Sequence, residues 1–273
     1  MKILIAADME GITGVTRWEH VDTSHSEYVR FRKIMTAEVN AAVRGAFEGG
    51  AAEVVVADGH SFGCNILIEE LDERARLNSG TVSPFSMMQG IGGDVQGVIF
   101  VGYHARAGTP QAVLDHTWAT RVMGVWLNDT LVGETGLNAA LAGHFGAPVL
   151  MVSGDQAVCA EATALLGAVE TVVVKHASGR FSAESLPAQL ARELIKGAAA
   201  RAVQRLAAGK APAPFKPGIP VQAAIEFSQS DMADLAARVP GVQRVDGRRV
   251  TYEAADMPTA YRTFRAAVTL SGL

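Results

Sequence analysis

Short apolar runs recur along the chain, and each stops at residues able to carry chemistry. Ile3-Leu4-Ile5-Ala6-Ala7 halts at Asp8-Met9-Glu10-Gly11, Glu53-Val54-Val55-Val56-Ala57 at Asp58-Gly59-His60, and Val98-Ile99-Phe100-Val101-Gly102 at Tyr103-His104-Ala105-Arg106. Unbroken apolar strands alternating with helical patterns mark a parallel sheet covered on both faces. Between the strands, Val39, Val43, Ala46 and Phe47 repeat at helical spacing, predicting a helix over Thr36–Phe47 that Gly49-Gly50 stops. Trp18–Lys33 is polar and mixed and reads as a loop or lid, Ile66–Ala75 as a helix, and Asn78–Gly93 as a long loop.

The alternation continues beyond a loop at Thr109–Thr120. Met123–Leu127 and Leu131-Val132 flank Asn128-Asp129 as a hairpin, Leu137–Phe145 reads as a helix, and Val149–Val152 as a strand ending near Asp155. Ala157–Leu166 suits a helix and Thr171–Val174 a strand ending in Lys175-His176; Ser185 and Pro187 then open a long helix to about Ala208. Residues 209–220 hold four of the ten prolines and read as a linker. A different pattern follows: a strand at Val221–Phe227, a helix at Asp231–Arg238, two strands around Asp246-Gly247, and a helix with Met257, Tyr261, Phe264 and Val268 on one face. The expected fold is α/β, a parallel-sheet three-layer catalytic domain over 1–208, with a smaller α+β subdomain over 221–273.

Composition narrows the function. At 273 residues and 49% hydrophobic content the chain can bury a sizeable core. Its net charge is −4, and basic residues are scattered apart from Arg248-Arg249, so no footprint for nucleic acid appears. No apolar run approaches the ~18 residues of a membrane span. Cys64 and Cys159 stand alone in small or apolar surroundings, as buried free thiols would in a reducing compartment. With a strand following a single Lys2 at the amino terminus, the expectation is a cytoplasmic protein.

The strand ends gather Asp8, Glu10, His60, His104 and Glu134 from separate parts of the chain. On an extended segment Asp8 and Glu10 share a face roughly 6 to 7 Å apart, and like charges so placed repel unless a cation lies between them. Taken singly, each residue could equally be a solvated strand-end acid, a hydrogen-bonded loop histidine or, for Glu134, an acid favoured by a helix dipole. Together, mixed nitrogen and oxygen donors suit zinc or manganese, and five side chains suffice for two ions if one carboxylate bridges. A two-metal hydrolase is the chemistry implied.

Asp8-Met9-Glu10-Gly11, Asp58-Gly59-His60-Ser61, Gly102-Tyr103-His104-Ala105-Arg106-Ala107 and Gly133-Glu134-Thr135-Gly136-Leu137-Asn138 resemble the motifs of the D-aminopeptidase DppA family, and the resemblance runs from residue 1 to about 270. It implies a binuclear zinc metallopeptidase, two Zn²⁺ per subunit, with manganese or another divalent ion as the substitute. Asp8 would bridge the ions, Glu10 and His60 would complete one site, and His104 and Glu134 the other. The family's catalytic histidine has its counterpart in His116, about a dozen residues after His104; here the flanking Asp115 and Thr117 replace the family's serines. The resemblance further implies short peptide substrates with a D-amino-acid amino terminus such as D-Ala, and a homodecameric, self-compartmentalising ring. His116 is expected as general acid and base, or as a nucleophile. Asp58 is a candidate partner holding an imidazole tautomer or a turn acid, and Lys175 and Asp155 are candidates for substrate contact. The competing readings are a two-metal hydrolase of another amide or a phosphoester, and a metal-dependent peptide-binding protein.

Overall fold

Side chains of the first strand alternate between two cores. Ile3, Ile5 and Ala7 face one cluster with Val54, Val56, Ile99 and Val101, while Leu4 and Ala6 face another with Val55, Val98 and Phe100. A sheet dressed on both faces is the result. The computed structural model describes residues 1–273. Its elements are β1 (Lys2–Ala7), α1 (Ser26–Glu48), β2 (Glu53–Asp58), β3 (Ala75–Asn78), β4 (Gly97–Tyr103), β5 (Val122–Leu127), β6 (Thr130–Val132), α2 (Glu134–His144), β7 (Val149–Asp155), α3 (Gln156–Leu166), β8 (Glu170–Gly179), β9 (Ser182–Ser185), α4 (Ala188–Ala207), β10 (Val221–Phe227), α5 (Ser230–Ala236), β11 (Gln243–Arg244), β12 (Arg249–Ala254) and α6 (Met257–Leu270).

The main sheet has seven strands in the order β3-β2-β1-β4-β7-β8-β9, all parallel except β9. The order runs backward from β3 to β1 and forward from β4 onward, so the sheet reverses direction between β1 and β4. Crevices at such switch points, beyond the carboxyl ends of the strands, are where open α/β sheets take ligands. Helices α1 and α4 cover one face through Phe31, Met35, Val39, Ile195 and Ala199. On the other face lie α2, α3 and a second sheet, β11-β12-β10-β5-β6. The expected parallel α/β sheet between helical layers is therefore present.

The second sheet takes the hairpin β5-β6 from residues 122–132 and pairs β5 antiparallel to β10. The unit beyond the proline-rich segment is thus not built from residues 221–273 alone. Asn138 on α2 ties the parts together, donating 2.8 Å to the Tyr103 hydroxyl at the end of β4 and accepting 2.8 Å from the Tyr261 hydroxyl on α6.

Three sequence expectations are corrected. Trp18–Lys33 is not a loop throughout: α1 begins at Ser26, because Tyr28, Phe31 and Met35 bury on the same face as Val39. The charged residues between them obscure that stripe. Ile66–Ala75 forms no α-helix, only a single 3₁₀ turn at Ile68–Glu70. The Asn65 and Ile66 N–H groups donate to the Asp58 carboxylate at 2.6 and 2.8 Å, and Asn40 takes the Glu70 carbonyl and the Asp72 N–H, so side chains claim the backbone groups a helix would use. The segment instead reaches the edge strand β3. Ser185 caps no helix, since it lies in β9 paired with Lys175; α4 starts after Pro187, and β8 runs past Lys175 to Gly179. Of the cysteines, Cys159 is buried and Cys64 exposed.

Candidate metal centre

Strand β1 ends at Ala7, and the chain turns at once, so Asp8 and Glu10 converge through a bend rather than along an extended strand. The bend is pressed against the end of β4. Asp8 N donates to Val101 O and Gly11 N to Gly102 O, both at 2.8 Å. A Cβ at position 11 would lie 1.9 Å from Tyr103 O, and one at position 102, where φ is +72°, would lie 2.3 Å from Asp8 O. Only glycines permit this approach.

Two polar anchors hold the loop after Glu10, and a third holds the loop that carries His116. The Lys175 ammonium, 1% exposed, donates to the carbonyls of Glu10, Ile12 and Val15 at 2.5, 3.0 and 2.7 Å, using all three of its protons. Burial lowers its pKa to about 8, which leaves it charged at neutral pH. Lys175 therefore supports the loop from behind and does not line the cavity. Glu38 on α1 accepts from Thr13 N at 3.1 Å. Asp155, the second residue considered for substrate contact, caps α3 through Ala157 N and Val158 N and takes Val113 N at 2.8 Å, fixing the loop that carries His116.

The five expected ligands come together. His60 Nδ1 lies 3.3 Å from Asp8 Oδ1 and 3.0 Å from Glu10 Oε2, while its Nε2 donates to Val21 O at 2.9 Å. His104 Nε2 lies 3.3 Å from both Asp8 Oδ2 and Glu134 Oε1, with Nδ1 donating to Ala105 O at 3.1 Å. Each imidazole is thus oriented by a backbone carbonyl and turns its other nitrogen toward carboxylates, the arrangement of a metal-ligating histidine. Asp8 faces a different histidine with each oxygen. Glu134 opens α2, and its Oε1 also accepts from Trp118 N at 2.6 Å.

A cation fits this cluster on two counts. Asp8 Oδ2 and His104 Nε2 are buried without a hydrogen-bond partner. Ligand atoms of Asp8, Glu10 and His104 lie within 4.8 Å of one another, as do those of His104, His116 and Glu134. The proton balance agrees. Burial pushes the Asp8 and Glu10 carboxyls up, yet the facing histidines outweigh it and hold both below the usual range. Burial likewise lowers His60 and His104, and the carboxylates reverse that and raise both well above an ordinary imidazole. A metal ion would replace those protons.

His116 lies within ligand reach of His104 and Glu134 but at the margin of the cluster. Its Nδ1 donates to Leu114 O at 2.8 Å, and Nε2 lies 3.8 Å from Glu134 Oε1 and 4.0 Å from Glu10 Oε1, farther than either ligand histidine from its carboxylates. The ring stacks on His104 at 4.0 Å, with the edge of Trp18 at 5.3 Å. Burial and then the neighbouring His104 lower its pKa, which favours the neutral ring. It lines a cavity of about 690 Å³ with Asp8, Glu10, His60 and Glu134, whereas His104 lies behind it.

Asp58 accepts from Asn65 N, Asn65 Nδ2 and Ile66 N, and Asn65 Nδ2 also donates to His60 O. It shapes the turn bearing His60 without touching the imidazole. Sequence reasoning missed Trp18, Trp118 and Arg265, which line the cavity. Trp118, two residues beyond His116, had a positional signal; Arg265, far along the chain on α6, had none.

The family model described as D-aminopeptidase, of the M55 peptidases, matches residues 1–266. A D-aminopeptidase of Bacillus subtilis (strain 168) is 40% identical over 263 residues, covering 96% of this chain and 94% of the relative. A solved structure of the zinc-dependent D-aminopeptidase DppA from Bacillus subtilis, described as a self-compartmentalizing protease, superposes with a TM-score of 0.96 at 37% identity, covering 100% of this chain and 98% of that one.

The loop anchors carry a pH signature. Burial raises Glu38 from 4.5 to about 7, against the weaker opposing pull of Thr13 and Lys175. Below pH 4.5 the carboxyl is protonated folded or unfolded; between 4.5 and 7 only the folded chain keeps the proton, so stability falls as pH rises through that window. Glu38→Gln should remove this fall, gaining up to roughly 3 kcal/mol over the parent by pH 8. Urea unfolding of chelated protein at pH 4.5 and pH 8 measures it, and parallel changes in the two proteins would exclude the assignment.

Proposed function

The chain belongs to the D-aminopeptidase family of M55 peptidases, and from that premise we propose a zinc-dependent aminopeptidase that releases amino-terminal D-amino acids from short peptides or amides. The observation carrying this reading is the convergence of Asp8, Glu10, His60, His104 and Glu134, with Asp8 Oδ2 and His104 Nε2 left without partners, at the reversal of the sheet. Asp8, Glu10 and His60 would hold one ion, and Asp8, His104 and Glu134 the other. When bound, the zinc pair supplies Lewis acidity and a water that ionises near neutrality.

The protein supplies proton transfer and a shaped cavity. With Nδ1 donating to Leu114 O, His116 keeps a lone pair on Nε2 directed toward the cavity. That nitrogen takes a proton as the nucleophile is activated and delivers it to the departing amine. Trp18 and Trp118 wall the cavity and limit water around it. A phosphoester would call for a dense cationic lining, and Arg265 is the only Lys or Arg there; a pure binding protein would have no use for His116 in that lining. On the same resemblance the subunits close into a homodecameric ring that admits short or unfolded peptides. Free Cys64 and Cys159 suit a cytoplasmic setting.

Elemental analysis of protein purified without chelator should find two divalent ions per chain. Asp8→Ala should lose both, whereas Glu10→Ala and Glu134→Ala should each weaken mainly one; equal losses in all three would remove the bridging role. Sedimentation should show a closed oligomer, and a strict monomer at micromolar concentration would sink the ring. D-aminoacyl amides should be cleaved in preference to their L counterparts, with activity lost on chelation. His116→Ala should lower kcat on the D substrate by about 10²- to 10⁴-fold with metal content and KM nearly unchanged. Near-parental turnover at full metal occupancy would make the histidine a bystander, and equal cleavage of both stereoisomers would overturn the D-specific reading.

A further inference from the structure

The cavity holding the metal cluster carries acids and imidazoles at one end and a single guanidinium, Arg265 on α6, elsewhere in its wall. Arg265 forms no ion pair anywhere in the protein. Its Nη1 donates to Ser83 O at 2.5 Å and to Pro84 O at 3.0 Å, and its Cζ lies 5.9 Å from the centre of the Trp118 ring. These contacts fix the guanidinium and use one of its three nitrogens, leaving Nη2 and Nε without a protein acceptor. A half-buried, immobilised fork with its charge unmatched is suited to a carboxylate supplied from outside. Thr269, one turn further along α6, lines the same cavity and adds a hydroxyl on the same helix face.

The position relative to the metal cluster sets what that carboxylate can belong to. Trp118 connects the two: its backbone N–H donates to Glu134 Oε1 at 2.6 Å, and its indole lies beside Arg265. One tryptophan therefore separates the guanidinium from a metal-ligand carboxylate. An extended peptide covers roughly 7 Å with two residues and 10 Å with three. A cavity of about 690 Å³ is of the size that accepts such a ligand. Beyond Arg265 a second cavity of about 700 Å³, shared with Val82 and Thr269, opens toward Arg262.

We propose that Arg265 is a specificity-determining residue that binds the free carboxy-terminal carboxylate of a two- or three-residue peptide whose amino end lies at the metal cluster. The proposal rests on the aminopeptidase reading and names its substrate class: very short peptides with an unblocked carboxyl group. The carboxylate meets Nη2 and Nε as a bidentate pair. The interaction lies away from the scissile bond, so it acts on binding and appears mainly in KM.

The test compares a D-Ala-L-Ala dipeptide with its carboxy-terminal amide on the zinc-loaded parent enzyme, Arg265→Met and Arg265→Lys. The parent should favour the free acid in kcat/KM by about 10- to 100-fold, the value of a charged hydrogen-bonded pair, chiefly through KM. Arg265→Met should bring the acid-to-amide ratio to about one, and Arg265→Lys, which keeps the charge and loses the fork, should restore part of it. A parent that cleaves acid and amide equally well overturns the proposal without recourse to any variant, as does an Arg265→Met enzyme that retains the parental ratio. A parent inactive on both compounds and on every other D-aminoacyl compound overturns the aminopeptidase reading instead, so the two failures are separable.

Discussion

Asp8, Glu10 and Glu134 are buried with their oxygens directed at the lone-pair sides of imidazoles, and no lysine or arginine forms an ion pair with any of them. Such a cluster is unfavourable by itself: removing carboxylates from water costs several kcal/mol per ion unless opposite charge compensates. In the apo chain the compensation is protons on His60 and His104, whose pKa values are raised by the acids around them. A divalent cation would do the same with more charge, taking the nitrogen lone pairs that the protons occupy. Much of the surrounding structure serves to hold that cluster together.

Much of the holding is done by backbone and by side chains that do not line the cavity. Gly11 and Gly102 let two strand ends approach until no Cβ could fit. Lys175 gathers three carbonyls of the loop following Glu10, and its positive charge behind the acids also lowers the cost of concentrating them. Asp58 and Asn65 shape the turn at His60, and Asp155 fixes the loop leading to His116. Asn138 links Tyr103, next to His104, to Tyr261 on α6, which aligns the helix bearing Arg265 with the helix that begins at Glu134.

The strands of the main sheet were legible because parallel strands buried on both faces read as unbroken apolar runs. Glu53–Ala57, Val98–Gly102 and Val149–Val152 all lie within observed strands. Where reading failed, long-range contacts had overridden local pattern. Ile66–Ala75 has the composition of a helix, but Asn40, 30 to 32 residues away, and the nearer Asp58 take its backbone groups. The first ten residues of α1 were hidden because Arg30, Arg32 and Lys33 interrupt an apolar stripe that is continuous only in three dimensions. The hairpin β5-β6 was recognised as a hairpin, while its partner β10 lies nearly a hundred residues away, a pairing that local pattern does not encode.

The same distinction separates the ligands from their supports. A candidate metal ligand must be a particular side chain at a strand end, so Asp8, Glu10, His60 and His104 could be proposed from type and position together. A support can be any group with the right reach, so Lys175 and Asp155, which also follow apolar runs, looked equally able to meet substrate. Topology and hydrogen bonding decide between them. Strands β1 and β4 border the reversal of the sheet, and their ends open into the crevice, with β2 beside β1. Strands β7 and β8 lie beyond β4, where the loop after Glu10 and the loop before His116 cover them, and the polar groups on those strands turn to the loops. Strand order separates Lys175, on β8, from the ligand candidates, whereas β7 adjoins β4 as β2 adjoins β1, so Asp155 is marked as a loop anchor by the N–H groups of Val113, Ala157 and Val158 that it accepts. Strand order and hydrogen-bond partners, which local pattern does not contain, are therefore what turn a list of strand-end residues into a candidate site.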